Sequence, residues 1–229
     1  MKPEIKIMKD LLQNIAMFGN LSKDELEILS NASKSLYLGK NQYLYNEKDE
    51  TDNLYYIIDG IIKIGVYDEN QDKEVIKNIF TKNTLFGDQA ILGHKQYNSF
   101  AQVLSDEANV IAIPSSIFRY LMQSNFEFNM RYLESIGNKM RFTDNRIESF
   151  MLHDARFRII EFIKDNANKF GQKVGLETLI KHPLTQQEIA NYTGTSRQTV
   201  TTVLNELKKS NHIFLKRKSI LVRDLEKIS

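Results

Sequence analysis

The chain has 229 residues, 41% hydrophobic and 26% charged, with no cysteine, enough for one large or two modest domains. Lack of cysteine excludes disulfides, thiol nucleophiles, Cys-based zinc sites and cysteine-ligated iron–sulfur clusters. The charged N-terminal run and the absence of any apolar stretch of about 18 residues predict no secretory leader and no membrane helix, hence a soluble cytoplasmic protein. The net charge of +2 hides an asymmetry: residues 155–229 hold 14 Lys/Arg against 7 Asp/Glu, and residues 1–154 hold 17 against 22. The two parts are expected to meet different partners.

Residues 5–36 read as short helices. Leu11, Leu12, Ile15 and Phe18 recur at helical spacing, and Ser22 with Glu25 makes a capping box ahead of Leu26, Ile28 and Leu29. From Leu36 to Pro114 short β-rich runs (YLYNE, LYYIID, IKIGVYD, KEVIKNIF, SFAQVL, NVIAIP) alternate with polar separators. Short strands at even spacing predict an antiparallel sandwich or barrel, with a turn at Gly60 and a hairpin tip from Asp68 to Asp72.

Pro114–Ser115 opens a helix that meets no stop signal for about 35 residues. Along it Phe126, Met130, Leu133, Gly137, Met140, Asp144, Ile147 and Met151 alternate spacings of four and three. That a/d seam predicts a parallel partner helix; the other reading is a core helix wrapped by its own domain. A break is expected at His153–Asp154, then an amphipathic helix with Phe157, Ile160, Ile163 and Ala167, then a turn at GQKVG.

Residues 184–213, LTQQEIANYTGTSRQTVTTVLNELKKSNHI, carry the most specific pattern. Thr185 and Glu188 form a capping box, Gly194 supplies a left-handed turn, Ser196 caps a second helix, and Val200, Val203, Leu204 and Leu207 form its buried stripe. In such a helix-turn-helix the N-terminal part of the second helix meets base edges. Thr185, Gln186, Ser196, Arg197, Gln198, Thr199, Thr201 and Thr202 are therefore candidate DNA contacts; Arg suits guanine and Gln adenine. Two strands, Ile213–Lys216 and Ile220–Val222, read as a wing whose tip, Lys216, Arg217 and Lys218, suits phosphates. A solvated helical hairpin is the bland alternative; the turn, the Ser-Arg start, the wing and the basic charge together favour double-stranded DNA.

At this point the chain, from about residue 15 to 225, resembles the Crp/Fnr family, the relatives of the bacterial cyclic-AMP receptor protein. LYYIIDG, LFGDQAIL, NSFAQVLSDEANVIAIP, the long helix and LTQQEIANYTGTSRQTVTTVL carry the resemblance. It implies an α+β chain: a cyclic-nucleotide-binding-type β-roll (double-stranded β-helix) with N-terminal helices over 1–113, a dimerisation helix over 114–152, and a winged helix-turn-helix over 153–229. It also implies a homodimer on a palindromic operator, in contact with RNA polymerase.

The same resemblance places an effector pocket at Gly87, Asp88, Asn98, Ser99, Thr143 and Asp144. Gly87, Ser99 and Thr143 match the family; Asp88 is a shortened acid and Asn98 replaces the phosphate-binding arginine. Asn lacks the charged fork of Arg, and Asp144 adds an acid, so an effector other than cyclic AMP, or a vestigial pocket active without ligand, is expected. Asp144 reads equally as a seam residue that fixes register. Two usual turn glycines are Asn41 and Lys48; Asn tolerates a left-handed conformation, Lys poorly. In the recognition helix Gln198 and Thr202 replace an acid and an arginine, predicting a different operator. No cofactor or metal is expected. The histidines, His94, His153, His182 and His212, are scattered, and a cupin-like metalloenzyme would need several in the β region, which holds His94 alone.

Overall fold

The computed structural model describes residues 3–70, 72–181, 183–216 and 218–228. In chain order the elements are α1 (Pro3–Gln13), α2 (Lys23–Ala32), β1 (Lys34–Gly39), β2 (Tyr43–Tyr45), β3 (Asn53–Asp59), β4 (Ile61–Asp68), β5 (Lys73–Thr81) and β6 (Leu85–Phe86). A 3-10 turn (Asp88–Ala90) follows, then β7 (Phe100–Val103), β8 (Glu107–Pro114), α3 (Ser115–Ser124), α4 (Phe126–Leu152) and α5 (Ala155–Phe170). The chain ends with β9 (Gly171–Val174), β10 (Glu177–Lys181), α6 (Gln186–Thr193), α7 (Arg197–Lys209), β11 (Ile213–Lys216) and β12 (Ser219–Val222). It forms two compact units: Met1–Val66 with Ile79–Thr143, and Tyr67–Asn78 with Asp144–Ser229. This division falls inside α4, where the sequence suggests boundaries at 113/114 and 152/153, because the β4–β5 hairpin tip and the last turns of α4 pack with the C-terminal elements.

The first unit is the roll. The roll's strands form two sheets, ordered β1-β8-β3-β6 and β2-β7-β4-β5, with residues 67–78 of the β4–β5 hairpin counted in the second unit. Alternation along β3 and β8 explains their unbroken apolar sequences, since both faces are covered. Leu54, Tyr56, Ile111 and Ile113 join a cluster with the helices, including Leu12, Phe18, Leu29, Phe118, Phe128 and Tyr132. Tyr55, Ile57, Val110 and Ala112 point into the roll beside Tyr45, Phe86 and Tyr97. The Ser22–Glu25 capping box forms as expected. Three local expectations are corrected. Residues 34–39 are a strand, held by pairing with β8. Asn41 and Lys48 both take left-handed backbone, φ 65° and 70°, so the turns survive loss of glycine. The helix expected to run from Pro114 is two helices: Asn125 is extended, and its Oδ1 accepts from the Phe128 amide at 3.0 Å, starting α4 afresh. Asn125 is fixed in turn through Nδ2 by the Glu25 carboxylate at 3.2 Å. The Ser22 amide holds that carboxyl below its ordinary pKa, against the opposing effect of burial.

The second unit packs α5 on α6, α7 and β10. Asp154 caps α5 by accepting from the Phe157 amide at 2.8 Å. Phe157 is exposed and stacks on His153, while Ile159, Ile160, Phe162, Ile163 and Ala167 are buried. GQKVG is strand β9 plus the Gly175 turn; β9 pairs with β10, extending the wing to the order β11-β12-β10-β9. No helix among the described residues is long and apolar enough to cross a membrane.

Candidate nucleic-acid interface and roll pocket

The helix-turn-helix is assembled by short-range bonds. The Thr185 hydroxyl oxygen accepts from the Glu188 amide at 3.2 Å, and Glu188 accepts from the Thr185 amide at 2.7 Å. The turn residue Gly194 sits at φ 64°, ψ 42°, which a side chain adopts only under strain. Ser196 caps α7, accepting from the Thr199 amide at 3.0 Å. Burial of Val200, Val203, Leu204 and Leu207 fixes the rotation of α7 and turns Arg197, Gln198, Thr202 and Asn205 outward, all exposed.

The other candidate contacts have structural duties as well. The Thr201 hydroxyl lies 2.7 Å from Gln186 Oε1 and 2.9 Å from the Arg197 carbonyl, tying α6 to α7. Thr199 Oγ1 is 2.8 Å from Ser196 Oγ. At the wing, Lys216 is exposed with Nζ 5.7 Å from the Phe214 ring centre, and Lys218 is exposed in a left-handed turn. Arg217 lies outside the described residues. Lys208 and Lys209 close α7, where cations favour the helix dipole.

The roll residues form a different kind of place. Gly87 has φ 87°, and a Cβ there would lie 3.0 Å from the Asn53 carbonyl. Asp88 accepts from Lys139 Nζ at 2.6 Å and from the Tyr132 hydroxyl at 3.2 Å, both on α4. Burial first, then Asp88, pushes the Tyr132 phenol well up and keeps it protonated. Asn98 is braced to Gln89: its Oδ1 accepts from Nε2 at 2.5 Å and its backbone N–H donates to Oε1 at 3.0 Å. Ser99 is buried.

Rings fill the space behind these residues. Tyr45 stacks on Tyr97 at 3.7 Å, Tyr55 on Phe86 at 5.5 Å, and Phe80 leans on Phe86 at 5.6 Å. Desolvation raises the Tyr45 and Tyr97 phenols, and Tyr97 donates to the Asn53 carbonyl at 2.7 Å. Thr143 is exposed and its hydroxyl donates to the Lys139 carbonyl at 3.0 Å. Asp144 begins the α4 segment of the second unit and lines a shallow cleft with Ile147, Glu148, Met151 and Leu152. Thus Gly87, Asp88, Asn98 and Ser99 are grouped around the 3-10 turn, while Thr143 bonds within its own helix.

Lys139 is the residue that sequence reasoning missed. Asp88 has a cation after all, from α4 rather than from position 98. Its signal was spacing: Tyr132, Lys139 and Thr143 follow one another by seven and four, on one helical face.

The helix α4 carries two apolar stripes. Phe128 and Tyr132 are buried in the first unit, with Ile136 packed against the same core cluster. On the other stripe Phe126, Met130, Leu133, Met140, Ile147 and Met151 are 76%, 48%, 51%, 62%, 52% and 78% exposed, and among the described residues nothing lies within 4 Å of where a Cβ on Gly137 would stand.

Comparison with known proteins agrees with this architecture. Residues 36–125 match the model of the cyclic nucleotide-binding domain, and residues 157–229 that of the Crp-like helix-turn-helix domain. The CRP-like cAMP-activated global transcriptional regulator of Mycobacterium tuberculosis is 24% identical over 222 residues, covering 97% of this chain and 98% of that protein. The chain belongs to the Crp/Fnr family of transcription regulators. The anaerobic regulatory protein of Bacillus subtilis is 24% identical over 194 residues, covering 84% of this chain and 81% of its own. FixK2 from Bradyrhizobium japonicum has the same fold, with a TM-score of 0.76 at 14% identity over 85% of this chain and 94% of that one. The Crp-like helix-turn-helix indicates DNA binding. Around its 3-10 turn this Crp/Fnr chain holds the Asp88–Lys139–Tyr132 group and the Gln89–Asn98 brace. Among the described residues no group of three or more His, Cys, Asp or Glu is placed to hold a metal ion.

Proposed function

We propose that the chain is a homodimeric, sequence-specific DNA-binding regulator whose α7 reads a roughly palindromic operator in double-stranded DNA. Residues 1–113 sense, 114–152 assemble the dimer and 153–229 bind DNA. The observation that carries this reading is the rotation of α7: its buried stripe leaves Arg197, Gln198 and Thr202 outward on a capped helix, the placement from which side chains reach base edges. The exposed stripe of α4 supports the homodimer, because a second copy of that helix covers it by knobs-into-holes packing. Replacing Leu133 by Glu is expected to yield monomers in sedimentation velocity and to weaken operator binding with them.

In this reading DNA affinity responds to a small molecule in the roll other than cyclic AMP, since Asn98 offers no charged fork. A second reading, DNA binding without any ligand, is favoured by the Lys139–Asp88 pair and the stacked rings, which leave the residues around the 3-10 turn satisfied from within the chain. The test is selection of a randomised duplex pool by ligand-free protein at a stated salt concentration. An enriched palindrome supports the ligand-free dimer. A site that emerges only with added nucleotide mixtures or cell extract supports effector control. Silence in both sinks the DNA-binding reading.

A further inference from the structure

The end of α6 is gripped by groups that the recognition surface does not use. The last carbonyls of a helix lack intrahelical partners. Here three successive ones are taken by two arginines. Arg146, on α4, donates through Nη2 to the Tyr192 carbonyl at 2.8 Å. Arg158, on α5, donates through Nε to the Thr193 carbonyl at 2.9 Å and through Nη2 to that of Gly194 at 3.4 Å. Phe150 lies between them, its ring centre 5.6 Å from one guanidinium and 5.0 Å from the other. The Phe150 ring also sits where a Cβ on Gly194 would go, 2.5 Å away. Arg146 is stacked 4.2 Å over the Tyr192 ring, and burial pushes its guanidinium pKa down, with Tyr192 opposing.

Arg146 has a second set of partners. Its Nη1 donates to the Lys77 carbonyl and its Nη2 lies 3.4 Å from that of Ile76, both on β5 beyond the hairpin tip. The same hairpin reaches α6 directly, where Asn191 Nδ2 donates to Glu74 at 2.8 Å. One planar fork therefore joins three segments distant in sequence: the hairpin, the end of α4 and the close of α6. Lysine could not make these divergent bonds from one rigid plane.

We infer that Arg146 is a positioning residue for DNA binding: with Phe150 and Arg158 it sets the close of α6, and through the Gly194 turn the start of α7, against the β4–β5 hairpin. This rests on the reading of α7 as the recognition helix. It makes the hairpin a control on DNA affinity that touches no DNA, since tilting it shifts carbonyls on the same guanidinium that orients α7.

The test uses the full-length protein, the duplex enriched from the random pool and a scrambled duplex of equal length. Wild type must first retain the enriched duplex; failure there removes the recognition-helix reading and this inference with it. Arg146→Ala is then expected to weaken the enriched duplex roughly tenfold and leave the scrambled duplex unchanged. The slope of affinity against salt is expected to stay constant, because no phosphate contact is lost. Arg146→Lys, which keeps the charge, and Glu74→Ala, which loosens the hairpin from α6, are expected to weaken it by about threefold each. Circular dichroism at the assay temperature checks folding; should Arg146→Ala not fold, the other two variants decide. Unchanged affinity in folded variants overturns the inference. So does a salt slope lowered by about one, the mark of a phosphate contact, or an equal loss on both duplexes that tracks the unfolded fraction.

Discussion

The α6–α7 pair and the 3-10 turn of the roll are both expected meeting places, and they are built on opposite plans. On α7 the apolar side chains are turned in and Arg197, Gln198 and Thr202 are turned out, so the polar surface faces outward. At the turn, Asp88 is met by Lys139 and Tyr132, Asn98 by Gln89, and Tyr45 by Tyr97. Family membership predicts both places with equal ease. Only side-chain geometry separates a surface awaiting a partner from an interior that supplies its own.

Removing the stacked ring would break that contrast most severely. Tyr97→Ala is expected to destabilise the roll by about 3 kcal/mol or more, by analogy with other large aromatic truncations, read as a lower midpoint in urea. A loss under about 1 kcal/mol, typical of ordinary substitutions, would mean the ring is not packing the interior. Arg197→Ala sharpens the other side. It should weaken operator binding by about 1–3 kcal/mol and leave thermal stability unchanged, since the side chain is exposed. A shifted melting point with unchanged DNA affinity would make Arg197 a structural residue.

Asp88→Asn comes next. It removes the charge from a partly buried ion pair, with side chains 25% and 19% exposed for Lys139 and Asp88. A loss of about 1–2 kcal/mol is expected for that charged hydrogen bond, and Lys139→Met in the Asp88→Asn background should add little. Additive losses in this double-mutant cycle would show that the two groups do not act together. The smallest expected effect is none: millimolar cyclic AMP should leave the melting temperature unmoved, whereas a ligand at 100 times its Kd adds about 2.7 kcal/mol. A clear upward shift would place the nucleotide in the roll despite Asn98.

How far the sequence could be read follows the same divide. The caps at Ser22, Thr185 and Ser196 and the Gly194 turn were legible because each depends on residues within three or four positions. The stripe of α7 was legible because one helix imposes one period. The start of α4 was hidden, since Asn125 is fixed by Glu25, 100 residues away. Strand β9 is not legible in the sequence because GQKVG has little strand character by itself; pairing with β10 makes it a strand. Lys139 was overlooked because its partner is 51 residues off. Lys48 shows a third case, in which surrounding structure imposes a backbone conformation that the residue disfavours.

The exposed stripe of α4 has a further consequence for how such a protein responds in time. If two chains must meet before either is useful, the amount of active species rises with the square of the amount of chain at low abundance, and only linearly once pairing saturates. Doubling synthesis from a low level would then quadruple operator occupancy with no signal molecule at all. Growth and dilution would act as inputs, and the six apolar side chains from Phe126 to Met151 would set the abundance at which the steep regime ends.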